Sequence, residues 1–149
     1  MEKMLKPLED TLELYFGKKA PALPANIKEV LVKIAPYLAI LSAIITVPAI
    51  LLLFGLGGLA TTLAPTGGVQ VVSQVPLMWV SILLLVPVVL LDVMSIPGLF
   101  KRSLQGWTFL FWAQLISLAS NLVQFNIVGA LIGGAIGFYI LFQIKSHYK

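Results

Sequence analysis

Residues 34 to 91 form 58 consecutive positions without a charged side chain, bounded by Lys33 and Asp92. A soluble domain carries about a quarter of its residues as charges. Here the fraction is 11%, and 59% of the chain is hydrophobic. No soluble fold hides that much uncharged apolar chain, whereas a ~30 Å hydrocarbon layer crossed twice accounts for it. The class is an all-α integral membrane protein with the lipid bilayer as its solvent.

Four spans follow from the pattern. The first is "IAPYLAILSAIITVPAILLLFGLGGLA", residues 34–60, where Pro48 removes a backbone donor and predicts a bend. "TTLAPTGGVQVVSQ" reads as a loop. The second span covers about 76–96 and is stopped by Pro97 and Gly98. The third covers about 104–124 and the fourth about 127–144, with "FNI" as the turn between them. The organisation is thus an amphipathic helix at 1–19, a linker and lead-in helix at 20–33, and a four-helix transmembrane bundle at 34–149.

Orientation comes from lysine and arginine. All ten basic residues lie before residue 34, in the connection at Lys101 and Arg102, or at Lys145 and Lys149. With four spans those regions share one side, and the positive-inside rule makes that side the cytoplasm. The net charge of +4 therefore reflects topology, and no nucleic-acid partner is implied. Trp79 and Trp107 fall near opposite ends of their spans, as in an aromatic belt.

The start, "MEKMLKPLEDTLELYFGKK", lacks the basic and apolar order of a signal peptide. Met1, Leu5, Leu8, Leu12 and Tyr15/Phe16 recur at helical steps and mark one apolar face. Residues 2–16 carry four acids against two lysines, a net of −2. Interfacial helices are usually basic, so docking on protein is favoured: on the subunit itself, on a neighbouring copy, or on a partner protein bound through residues 1–16. A helix resting at the lipid surface is the alternative. "KKAPALPAN" reads as a stiff linker, with Asn26 as the cap of the next helix.

Three groups of residues carry the functional expectations. Asp92 lies inside the second span, about 9 Å from its inner end. An acid there costs ~2.5–3.5 kcal/mol on insertion scales and rarely faces lipid. Residues at matching depth are Ser42, Gln114 and Tyr139, which could join it as a polar layer serving an ion or proton. Alternatively, Asp92 pairs with Lys33, Lys101 or Arg102, or is simply protonated and hydrogen-bonded. Gln114, Ser117, Asn121 and Gln124 share one face of the third span, suited to helix association or to a wet path. Gly129, Gly133 and Gly137 recur every four residues in "GALIGGAIG" and predict close helix packing, within the chain or between copies.

The chain has no cysteine, and its single histidine, His147, stands two residues from the end. No phosphate loop, metal-ligand spacing or nucleophile set is present, so neither an enzyme nor a cofactor or metal is expected. The stretches "IPGLFKRSLQGWTFLFWAQLISLASNL" and "GALIGGAIGFYILFQIKSHYK", with the leader "LYFGKKAPALPANIKEVLVKIAPYLAIL", resemble small bacterial four-span integral membrane proteins of unassigned function. That resemblance covers most of the chain and implies a fold and a bacterial cytoplasmic membrane, without implying an activity. Two functional expectations remain: a self-associating scaffold or partner-recruiting subunit, and an oligomeric ion or proton channel or transporter subunit using Asp92.

Overall fold

A computed structural model describes residues 2–149; it is 89% helical, with no strand among the described residues. Helix α1 (Glu2–Leu12) runs directly into π-helical turns over Glu13–Lys19. Helices α2 (Ala25–Leu63), α3 (Val69–Phe100), α4 (Leu104–Val123) and α5 (Ile127–Ile144) follow, with 3₁₀ turns at Ala64–Thr66 and Lys145–His147. All of α2 to α5 are long and apolar enough to span a membrane, and they pack together as a multi-pass four-helix bundle. Within lipid no water satisfies a free backbone group, which leaves the helix as the available form for such segments.

Four helix ends differ from the sequence expectation. Helix α2 runs on to Leu63 and α3 already begins at Val69, so the expected loop at 61–74 shrinks to the 3₁₀ turn and the two glycines after it. Helix α2 begins at Ala25 with Pro24 as its N-cap residue, and Asn26 does not cap it. The carbonyl of Pro24 accepts from Ile27 N (3.0 Å) and Lys28 N (3.1 Å), so the ring-fixed backbone of proline starts the helix. The lead-in and first span are then one helix of 39 residues, longer than the hydrocarbon layer requires. Pro97 and Gly98 do not stop the second span; α3 continues to Phe100, and Lys101 N closes its last turn on Pro97 O at 3.2 Å.

Helix α3 packs against both α2 and α4, and α4 packs against α5, while α2 meets α5 over a short stretch only. The bundle is therefore closed on three sides and loosely closed on the fourth. Its core is concentrated at the end that carries both termini: Val32, Leu99, Trp107, Phe111, Phe138 and Phe142 are all buried there. Trp107 belongs to that core and not to an interfacial belt. It is 1% exposed, stacks on Phe111 at 5.5 Å, and donates from Nε1 to Leu141 O at 2.7 Å. Crossing of α3 and α4 permits this depth. Gly98 and Gly106 meet backbone to backbone, where a Cβ on Gly98 would stand 2.6 Å from Gly106 Cα. At the opposite end, Trp79 donates to Thr61 Oγ1 at 2.9 Å and sets its ring edge against Phe54.

Candidate functional site

Helix α3 brings Asp92 to the point where two cavities meet. One, of about 280 Å³, lies among α3, α4 and α5 and includes Val88, Asp92, Gln114, Ser117 and Gly137. The other, of about 270 Å³, runs beside α2 from Leu31 to Ser42 and includes Asp92 and Ile144. Asp92, Leu110, Ile140 and Leu141 line both. Each cavity has room for several waters. The second follows the loosely closed seam between α2 and α5, and Leu38 and Ser42 on its rim are exposed. Its lining extends from Ile144, the last residue of α5, to the aspartate. The first continues to Ser117, fourteenth of the twenty residues of α4 and roughly 20 Å from its start.

Asp92 is half-buried and forms no ion pair among the described residues. The expected pairing with Lys33, Lys101 or Arg102 is not made. Lys101 and Arg102 are exposed in the turn after α3, and Arg102 instead offers its carbonyl to Lys149 N at 3.0 Å. Ser95, wholly buried one turn on, donates its hydroxyl to the Asp92 carbonyl at 2.6 Å and ties down the backbone there.

Of the expected polar layer, Ser42 lines the cavity beside α2, Gln114 lines the other and Asp92 lines both, whereas Tyr139 lines neither. The α5 residues that line them are Gly137, Ile140, Leu141 and Ile144. Tyr139 follows Gly137 by two residues, about 200° around the helix, so it faces the opposite way. Its hydroxyl donates to Pro21 O at 2.5 Å. Equal depth placed it in the layer; the direction of its side chain removes it.

Gln114 and Asn121 of α4, and Gln124 just after it, form hydrogen bonds within the subunit. Gln114 Nε2 donates to Gly133 O at 3.1 Å, and Gly137 leaves the space that the Gln114 amide fills. Asn121 donates to Ser117 O at 2.9 Å and accepts from Asn126 Nδ2 at 3.2 Å, while Gln124 turns back to Ser120. The glycine repeat of α5 has no single role. Gly129 makes room for the capping Asn126 side chain and Gly137 for Gln114, whereas a Cβ at Gly133 would meet nothing within 4 Å.

The leader docks on its own subunit. Gln143, 3% exposed, donates from Nε2 to Phe16 O (3.0 Å) and accepts through Oε1 from Leu23 N (3.2 Å). Lys145 Nζ reaches Glu9 at 3.0 Å and Glu13 at 2.6 Å. Leu12 and Phe16 pack on the core, whereas Leu8 and Tyr15 of the expected apolar face stay exposed. Met1 lies outside the described residues.

Four contributors escape sequence inspection: Gln143, Ser95, and the Gly98–Gly106 pair. Gln143 carries a signal of a kind, as the lone amide in the otherwise apolar α5. Among the described residues, no three His, Cys, Asp or Glu side chains gather as a metal site. Compared with protein families, curated proteins and solved structures, the chain matches none.

Proposed function

We propose that the chain is a multi-pass protein of the bacterial cytoplasmic membrane, with both termini in the cytoplasm, that takes up a proton or a small monovalent cation at Asp92. The observation that carries this reading is the aspartate without an ion pair among the described residues, lining two cavities, one of which extends toward the end of α5 that precedes Lys145. An intramembrane acid without a basic partner is expensive to keep, and functional use is the usual reason one persists. The donor set favours a proton over a multivalent ion: Asp92 is the one carboxylate, and the Gln114 amide and the Ser42 and Ser117 hydroxyls are divided between two cavities. Passage to the far side requires either a rearrangement of α2 against α5 or a second copy of the chain, because the cavities stop at Ser117.

The test is proton and potassium flux from liposomes containing the purified chain, with Asp92→Asn as the variant. Asparagine keeps size and hydrogen bonding but cannot carry the charge. Flux lost in Asp92→Asn with assembly unchanged supports the reading. Flux identical in the two proteins, or absent from the unaltered protein under both ion gradients, overturns it.

Self-association as a scaffold is the second reading, and Gly133 favours it. Its exposed position offers a second helix a close approach that no residue of the subunit occupies. Gly133→Leu then abolishes an oligomer seen by native mass spectrometry while leaving the subunit folded. The leader supports this reading less, since its Leu12 and Phe16 already pack on its own bundle.

A further inference from the structure

A third cavity, separate from the Asp92 site, opens at the end of the bundle that carries the termini. It is a cleft of about 440 Å³ between the leader, the first turn of α2, the start of α4 and the end of α5. Lys18, Lys28 and Lys145 line it from three different elements, with Glu13 as the carboxylate among its lining residues. Lys145 is already held by Glu9 and Glu13. Lys18 and Lys28 form no ion pair among the described residues. Two lysines without an ion pair among the described residues therefore line one concavity, where an anion would relieve their repulsion. Lys28 also stands in the first turn of α2, where the helix dipole adds to the positive potential.

Tyr148 adds a second, independent observation. It lines the same cleft, is 4% exposed, and its hydroxyl is a fully buried polar atom without a hydrogen-bond partner among the described residues. Such a group costs stability unless something satisfies it. Burial raises the phenol above its ordinary value, with Arg102 pulling the other way, so it is a hydroxyl and able to donate. The tail is held in place by Lys149 N on Arg102 O (3.0 Å) and Leu104 N on Lys149 O (2.9 Å), which keeps Tyr148 in the wall of the cleft.

Volume and position narrow the ligand. The cleft is larger than a bare phosphate ion needs, and it lies beside Lys145, the residue that follows the last turn of α5. Lys145 is the first charged residue after the apolar run of α5, where that helix would leave the hydrocarbon layer. We propose that this cleft binds a phosphate ester, carried on an anionic phospholipid headgroup, between Lys18 and Lys28 with Tyr148 behind it. The inference does not depend on transport through Asp92.

The experiment is native mass spectrometry of the full chain released from zwitterionic detergent. It is titrated in separate arms with phosphatidylglycerol, phosphatidylcholine and soluble glycerol phosphate. Phosphatidylglycerol is expected to bind, and Lys18→Gln/Lys28→Gln to weaken it by about tenfold or more, at roughly fivefold per lysine near a membrane surface. Lys33→Gln/Lys101→Gln, which removes the same charge from exposed sites outside the cleft, is expected to change binding by less than about twofold. Lys18→Arg/Lys28→Arg keeps the charge and the binding, which separates loss of the site from loss of the fold. Tyr148→Phe weakens binding while leaving the lysines in place. Glycerol phosphate bound as tightly as the lipid leaves the phosphate site standing and makes its ligand soluble. Equal losses in the two glutamine pairs, or phosphatidylglycerol held no better than phosphatidylcholine with no glycerol phosphate bound, overturn the proposal.

Discussion

Replacing Gly98 by alanine is expected to destabilise the bundle where the same change at Gly133 does not. Both glycines lie inside helices, so both substitutions gain similar helix propensity, and their difference isolates what the new methyl group meets. At Gly98 it meets Gly106 Cα at 2.6 Å and Gly106 N at 2.7 Å, against 3.4–4 Å for an ordinary contact. Those atoms are backbone and cannot rotate away, so α3 and α4 must part. Parting them strains the bond from Ser103 N to Gly98 O (2.8 Å) and disturbs the burial of Trp107, the neighbour of Gly106. Overpacking of this kind costs ~1–3 kcal/mol, and a backbone clash belongs at the upper end of that range. At Gly133 a methyl group has open space on every side. The expected difference between the two variants is therefore about 2–3 kcal/mol, roughly thirty- to a hundred-and-fiftyfold in the folding equilibrium. Reversible unfolding in mixed micelles, followed by tryptophan fluorescence, measures it. Equal stability of Gly98→Ala and Gly133→Ala within ~0.5 kcal/mol would falsify the close crossing.

Gln143→Leu removes both bonds that clamp the leader and leaves Phe16 O and Leu23 N without that partner, at ~1–3 kcal/mol; limited proteolysis should then cut the chain between residues 17 and 23, and an uncut leader would refute the clamp. Lys145→Gln leaves Glu9 and Glu13 facing each other without a cation, so the leader should detach more readily, with a smaller effect in high salt; unchanged proteolysis at low salt would count against the pairing. Tyr148 retains its proton in the folded state above the ordinary value of 10.0 while the unfolded chain releases it there. Stability should accordingly fall as pH rises past about 10, and Tyr148→Phe should flatten that part of the curve. Identical pH curves for the two proteins would show that the phenol is not buried.

How much of this could be read in advance depends on whether a feature belongs to one helix or to the contact between two. The run from 34 to 91 without charge, the basic residues grouped in three regions and the short "FNI" turn are each properties of the chain alone, and they suffice for four spans in an all-α fold. Asp92 was legible too, since an acid in an apolar span is conspicuous wherever the helix turns. Depth along each helix was likewise readable, because every residue rises 1.5 Å. Azimuth was not, since it depends on which neighbour each helix meets; that is why Ser42 and Gln114 join Asp92 while Tyr139 turns to Pro21.

The tertiary structure alone decided where the polar and small residues act. "IPG" reads as a helix stop because proline lacks a donor and glycine lacks a side chain. The same lack of a side chain lets α4 cross α3 at backbone contact and keeps the helix going to Phe100. The acidic leader announced a protein surface as its dock, and only packing showed that the surface is its own α5, through Gln143 and Lys145. Composition and periodicity therefore determined the solvent and the number of helices, which depend on single residues and their spacing. Which helices touch, what lies between them, and whether Asp92 is paired depend on side chains far apart in the chain, and those were settled by the fold.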